Sequence, residues 1–248
     1  MSGHNRWSKI KRQKAAMGAT KGKLYSKVIK EITVAARLGG GDPAGNARLR
    51  AIIATGREAN MPNDSIQRAV KKGTGELEGE SYEEVTYEGY GPGGVAVLVE
   101  CLTDNRNRTS GELRATFGRG GGNMGAEGAV AWMFNKKGTI TVKPGLTEDQ
   151  VMEKAIEAGA EDVINLGEEG FEVRTAPVDL HTVATSLESA GLKLGEQKWV
   201  YLPQTTVKLE GDNARKMLKL MDALDENDDV QNVHANFEID EALMESLH

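Results

Sequence analysis

Between Met1 and Lys30 the chain carries nine lysines and arginines and not one acid. Arg6, Lys9, Lys11, Arg12 and Lys14 crowd the first part, and Lys21, Lys23, Lys27 and Lys30 follow. Such a stretch suits a polyanion, because each phosphate it neutralises releases condensed counterions. Trp7 stands among these cations, where its ring serves either to stack on an unpaired base or to anchor the arm by packing. A second cluster reads Thr103-Asp104-Asn105-Arg106-Asn107-Arg108-Thr109, with Arg114 and Arg119 beyond it. Forked guanidiniums near the start of a helix make an anion or partner site. The same arginines also suit pairing with the chain's own acids, and the sequence leaves both readings open.

Other chemistries lack their parts. Gly120, Gly122 and Gly125 form a G-x-G-x-x-G string, but a dinucleotide site needs that string to follow a strand and open a helix. Here it follows a predicted helix and precedes a strand, so a hinge or a close backbone contact is expected. Lys21-Gly22-Lys23 lacks a P-loop's first glycine, where Met17 stands, and its hydroxyl residue, where Leu24 stands. His4, His181, His234 and His248 share no chelating spacing, and no Ser-His-Asp set can be assembled. Cys101 lies in an apolar run and reads as core. The expectation is a protein without catalytic residues, metal, cofactor or small-molecule substrate.

The overall charge of −6 hides a segregation. Residues 1–72 hold 16 bases against four acids (Glu31, Asp42, Glu58, Asp64), a net +12. Residues 73–248 hold 15 bases against 33 acids, a net −18. A basic head on an acidic body points to a nucleic-acid partner. One cysteine permits no intrachain disulfide, and no apolar run approaches the ~18 residues of a membrane span. The first residues are polar and basic, without the apolar stretch of a secretory signal. A cytoplasmic protein that makes no use of a membrane is expected.

The elements that must position these residues follow from periodicity. Leu24, Val28, Ile32 and Ala35 predict a helix that Gly39-Gly40-Gly41 stops. Leu49, Ile52 and Ile53 predict a second helix. Ile66, Ala69 and Val70 predict a third, with Asn63 as its N-cap and Gly73 as its end. Residues 74–81 are acidic and glycine-rich and read as a linker. The period then falls to two: Tyr82–Tyr90 and Val95–Thr103 predict a hairpin, Thr109 with Glu112 a capped helix, and Val130, Trp132 and Phe134 a strand. From residue 138 the order reads β-α-β-β-α-β, a ferredoxin-like arrangement. A strand at 206–209, a helix with Met217 and Leu224, and a strand at 230–237 come last, with Asp225–Asp229 as a solvated turn between them. The predicted fold is α+β with three domains. Residues 1–76 form a basic arm and a three-helix module. Residues 77–135 with 204–248 form a discontinuous α/β domain, and residues 136–203 form a ferredoxin-like domain inserted into it.

Several motifs carry a resemblance. Gly3-His4-Asn5-Arg6-Trp7 through Lys14-Ala15-Ala16 resembles the YebC family. So do Met61-Pro62-Asn63-Asp64-Ser65-Ile66, Arg68-Ala69-Val70-Lys71-Lys72-Gly73, Tyr87 through Gly94, Thr103 through Thr109, and Gly121-Gly122 leading to Val130 and Phe134. Asn5-Arg6 stands where the family usually has Ser-Lys, which keeps the charge, and Met124 where it often has Leu. The resemblance implies three domains, no catalytic residues and a role in gene expression. Members have been described as DNA-binding transcriptional regulators. The family also includes a mitochondrial translational activator, and bacterial members are linked to ribosomes stalled on proline runs. The expected partner is the ribosome and its RNA, with promoter DNA as the alternative. No helix-turn-helix pair with base-reading side chains and no dimer-forming heptads stand out in the sequence.

Overall fold

The computed structural model describes residues 21–239. Helix α1 (Lys21–Gly39) buries Val28, Ile32, Ala35 and Ala36, the stripe its spacing predicts. Helix α2 (Ala47–Glu58) starts at Asn46, whose side-chain oxygen accepts from the Leu49 N–H. The Asn46 amide donates to the carbonyls of Ala35 and Gly40, both at 2.8 Å, so one side chain caps α2 and ties it to the end of α1. Helix α3 (Asn63–Gly73) begins one residue earlier in capping terms than expected. Pro62 holds the extended cap backbone, and Asn63 is already helical. Val28, Ile32, Leu49, Ile53, Ile66 and Ala69 close the core of this module. Each valine, leucine or isoleucine among them contributes roughly 1.5–3 kcal/mol by leaving water.

The hairpin follows. Strands β1 (Glu83–Gly91) and β2 (Val95–Thr103) pair antiparallel from Glu83 opposite Thr103 to Gly91 opposite Val95. The connecting turn sets Gly93 and Gly94 at φ of 75° and 79°, a region other residues avoid. Helix α4 (Arg106–Arg119) and the short strand β3 (Asn123–Met124) come next. The N-cap of α4 is Asn105, which accepts from the Arg108 N–H at 3.1 Å. The expected Thr109–Glu112 capping box is absent because Thr109 lies inside the helix, buried, with its hydroxyl donating to Asp229. The glycine string is packed by close contact. A Cβ on Gly122 would lie 2.2 Å from the Tyr90 carbonyl, and one on Gly120 would lie 2.8 Å from Leu220.

Residues 131–133 form a single 3-10 turn where a strand was expected, and strand β4 (Phe134–Val142) starts only after it. Helix α5 (Glu148–Glu157) opens with the expected Thr147–Gln150 capping box. Strands β5 (Asp162–Asn165) and β6 (Phe171–Thr175), helix α6 (Leu180–Ser189) and strand β7 (Leu194–Pro203) complete the series. The strand order β5-β6-β4-β7, with β4 and β5 both antiparallel to β6, is the ferredoxin-like order. Ile140, Val142, Val151, Val173, Leu180, Val183 and Leu187 fill its core.

Strand β8 (Val207–Leu209), helix α7 (Gly211–Asp225) and strands β9 (Val230–Ala235) and β10 (Phe237–Ile239) return to the first sheet. Strand β9 pairs with β2, which gives the order β3-β1-β2-β9, while β8 and β10 pair parallel to each other. Asn236 joins the two pieces, since its side-chain oxygen accepts from the Ala96 N–H at 2.7 Å. Val95, Val97, Val99 and Cys101 face Leu113 and Phe117 of α4 and Met217, Leu220 and Leu224 of α7 in one core. The chain divides into two compact units. Residues up to Phe134 together with those from Pro203 onward make one, and Asn135–Leu202 make the other.

A close helix crossing yields a stability prediction. A Cβ on Gly73 would lie 2.4 Å from the Thr33 carbonyl oxygen, a backbone atom. Gly73→Ala therefore lowers stability by about 1–3 kcal/mol, measured by urea unfolding, despite alanine's higher helix propensity. A stabilised variant would show that α1 and α3 do not approach so closely.

Candidate nucleic-acid interface

Arg6, Trp7, Lys9, Lys11, Arg12 and Lys14 lie outside the described residues, as does the side chain of Lys21. The remaining three arm lysines sit at positions i, i+4 and i+7 of α1, which places them on one helical face. That face meets the end of α7. Lys23 Nζ donates to the Glu226 carbonyl at 3.2 Å. Lys27 donates to the carbonyl and the carboxylate of Asp225, both at 2.9 Å. Lys30 donates to the Asp228 carbonyl at 2.9 Å and to Asp229 Oδ1 at 2.6 Å, and its ammonium stands 5.4 Å from the Tyr82 ring centre. Two expectations are corrected here. Lys27 and Lys30 spend their charge on Asp225 and Asp229 instead of standing free, and Lys23 is exposed and donates to a carbonyl. Within the expected solvated turn Asp225–Asp229, Asp229 is buried. Cations are drawn there because a helix C-terminus presents unpaired carbonyls and partial negative charge, to which three aspartates add.

Asp229 is the centre of this contact, with a side chain only 4% exposed. Besides Lys30 it accepts from Arg108 Nη2 at 2.8 Å, Thr109 Oγ1 at 2.7 Å and Thr103 Oγ1 at 3.2 Å. Burial pushes its carboxyl up, but hydrogen bonds from Arg108, Lys30 and Thr109 outweigh that and hold it at about 2. Arg108 also pairs with Asp104 at 2.7 Å. Of the second cluster, Arg108 is thus spent internally. Arg106 is exposed and 3.9 Å from Glu83, while Asn107, Arg114 and Arg119 are exposed. The only described partner of the Arg119 side chain is Thr116 Oγ1, at 3.3 Å. Because α4 carries these arginines over more than three turns, they do not converge on one anion.

Among the exposed cations that the sequence reading did not select are Arg57, Arg68 and Lys71 of the helical module, with Lys72 beside them. None has a hydrogen-bond or ion-pair partner for its side chain among the described residues. Arg57 closes α2, and Arg68 and Lys71 lie one turn apart on the solvent face of α3, opposite buried Ile66, Ala69 and Val70. Gln67 is exposed beside them. The turn between the helices, residues 59–62, is held from α1, because the Tyr25 hydroxyl donates to the Asn60 carbonyl at 2.8 Å. Asn60 takes a left-handed φ of 61° there. The two helices are joined by a four-residue turn, and the second turns polar side chains outward. Both helices and the short link between them were expected from the sequence, and the helical period of α3 places Gln67, Arg68 and Lys71 on its outer face.

Other surfaces are less suited to phosphate. A cleft of about 500 Å³ around Lys30, Tyr82 and Arg108 is walled by Glu80, Asp104, Glu112 and Asp228, so its field opposes an anion. In the ferredoxin-like unit, the residues alternating with buried Ile140 and Val173 are Thr139, Thr141, Glu172 and Arg174, without an aromatic ring. Lys137, Arg174 and Lys198 pair there with Glu161, Glu172 and Glu196. An RNA-binding sheet of this topology instead carries stacking aromatics on that face. Among the described residues, no group of three His, Cys, Asp or Glu side chains can hold a metal, and no helix is long and apolar enough to cross a membrane. Burial raises the Cys101 thiol to about 12, with Asp229 and Glu100 adding to the effect, so it is a poor nucleophile.

A three-helix module ahead of an α/β part, with a ferredoxin-like insertion and cations on the outer helices, defines an α+β protein of three domains. Comparison places it more closely. A family model described as the TACO1/YebC protein N-terminal domain matches residues 5–76, and one described as the TACO1/YebC second and third domain matches residues 82–237. The chain belongs to the TACO1/YebC family. It is 74% identical over 247 residues to a probable transcriptional regulatory protein of Myxococcus xanthus, covering 100% of this chain and 99% of that one. It is 58% identical to the probable transcriptional regulatory protein GSU1074 of Geobacter sulfurreducens, covering 100% of both. The crystal structure of a conserved hypothetical protein, Aq1575 from Aquifex aeolicus, matches with a TM-score of 0.83 at 51% identity, over 90% of this chain and 93% of that one.

The depressed Asp229 carboxyl generates a pH prediction. A folded value near 2 against an unfolded value near 3.9 means that its stabilising effect is complete above about pH 5. It is lost as the pH falls toward 2. Asp229→Asn is therefore less stable than the parent at pH 7, and the gap narrows by about 2 kcal/mol between pH 5 and pH 2 in urea unfolding. A gap independent of pH would show that the carboxylate does not carry the contact.

Proposed function

We propose that this chain is a non-catalytic, nucleic-acid-binding regulator of gene expression, and that α2 and α3 carry its contact with duplex DNA. One observation supports this above others. Arg57, Arg68 and Lys71 are exposed on a helical pair joined by a short turn and have no described carboxylate to neutralise them. Arg6, Lys9, Lys11, Arg12 and Lys14, outside the described residues, would add positive charge for a polyanion. The names of the relatives speak of transcription, which favours promoter DNA over the ribosome as the partner. Helix α3 can also do more than hold phosphates, since Gln67 and Arg68 are side chains that read adenine and guanine edges in the major groove. Ribosomal RNA, and with it the translation of proline runs, is the alternative outcome of the same experiment. Phosphate contact by lysine and arginine positions a protein on either polymer.

The test compares binding to a promoter duplex, a scrambled duplex and ribosomes over a range of salt concentrations. Replacing Arg57, Arg68 and Lys71 together by Gln makes the log–log salt slope on duplex DNA shallower by about 3, near 0.9 per lost phosphate contact. An unchanged slope shows that α2 and α3 are not the contact. Promoter preference of ~10³ or more supports transcriptional control. Equal affinity for both duplexes with tight ribosome binding transfers the function to translation.

A further inference from the structure

Trp132 is 69% exposed, although burying a ring of its size would be strongly favourable. It is nevertheless held in place. Glu88 on β1, only 5% exposed, aims its carboxylate at the backbone of the preceding loop. Its Oε1 accepts from the Gly128 N–H at 2.7 Å, and its Oε2 accepts from Val130 at 2.6 Å and Ala131 at 2.7 Å. The Tyr90 hydroxyl donates to the Ala129 carbonyl at 3.1 Å. From the other side, the Gln204 side chain donates to the Trp132 carbonyl and its N–H to the Met133 carbonyl, both at 2.9 Å. This clamp is why residues 131–133 form a turn rather than the expected strand. A rigid loop that presents a large ring to water is pre-organised for a ligand.

The chemistry of the ring narrows that ligand. Its polar edge is already used, because Nε1–H donates to the Ala129 carbonyl at 3.2 Å. What it offers outward is its flat π surface. Of the loop residues before it, Glu127 is charged and Gly125, Ala126, Gly128 and Ala129 are small, which leaves little bulk on that side of the ring. A base has a π face, needs no apolar surround and can approach over small residues.

We propose that Trp132 is a stacking platform for an unpaired base of single-stranded nucleic acid. The proposal rests on the reading that this chain binds nucleic acid, and it adds a site on the α/β part, apart from α2 and α3. Paired bases in a duplex cannot reach such a platform without being unstacked, so the site favours single strands or opened ones.

The full chain is titrated into a fluorescently labelled mixed-sequence 12-nucleotide single strand and into its duplex, with parent, Trp132→Ala, Trp132→Phe and the Arg57, Arg68, Lys71 triple variant. Because the side chain is mostly in solvent, the melting temperature of the Trp132 variants should match the parent, and this is checked first. Trp132→Ala weakens single-strand binding roughly 5- to 150-fold, the range for loss of one base–aromatic stack. Trp132→Phe recovers part of it, and duplex affinity stays within twofold of the parent. Unchanged single-strand affinity in Trp132→Ala overturns the proposal, and so does an equal loss on duplex. A protein partner lost in Trp132→Ala while nucleic-acid affinity holds would reassign the surface and also overturn it. If the parent binds neither polymer, the functional reading above fails as well. If only the triple variant loses binding, that reading stands and the stacking site alone is withdrawn.

Discussion

The described part of the first unit turns on one contact, that of the α1 lysines with the end of α7 and with Asp229. Asp229 is nearly buried and gathers Lys30 from α1, Arg108 and Thr109 from α4, and Thr103 from β2. A carboxylate removed from water is costly unless its lone pairs are filled, and four donors fill them. Truncating one partner of a buried pair costs about 3–5 kcal/mol, because the other charge is then stranded. The helical module is therefore committed to the α/β part by charge. Lys27 on Asp225 and Lys23 on the Glu226 carbonyl extend the same contact along α1.

That commitment decides which cations are left for a partner. The basic head and acidic body are not simply repelled to opposite ends. Part of their opposite charge is joined within the unit, which removes Lys27, Lys30 and Arg108 from the external field. Arg48 is removed in the same way by Glu31 and Glu84. Arg57, Arg68 and Lys71 escape because they lie on the exposed faces of α2 and α3, opposite the buried residues of those helices. The positive charge left unpaired on the described helices is thus smaller than the net charge of residues 1–72 suggests.

Much of the architecture was legible because its signals are local. The apolar stripe of α1, its glycine stop, the Thr147–Gln150 capping box and the β-α-β-β-α-β order each occupy a short run of sequence and appear where expected. The errors arose where the deciding partner lies far along the chain. Lys30 meets an aspartate 199 positions away, and no periodicity reveals it. Thr109 resembles a helix cap until Asp229 is seen to take its hydroxyl. The alternation of Val130, Trp132 and Phe134 imitates a strand, yet Glu88, more than forty positions earlier, folds that backbone into a turn. No local signal tells that Lys27 and Lys30 meet aspartates while Lys23 on the same helix stays exposed.

The central claim is that the α1 lysines serve the architecture, while the cations of α2 and α3 serve the polyanion. Amine labelling followed by mass spectrometry, on the free protein and on its complex with duplex DNA, tests it at the level of single residues. The account predicts that Lys27 and Lys30 resist labelling in both states, whereas Lys71 labels readily when free and is protected when bound. Lysines 27 and 30 that label freely and become protected on binding, with Lys71 unaffected, would contradict it.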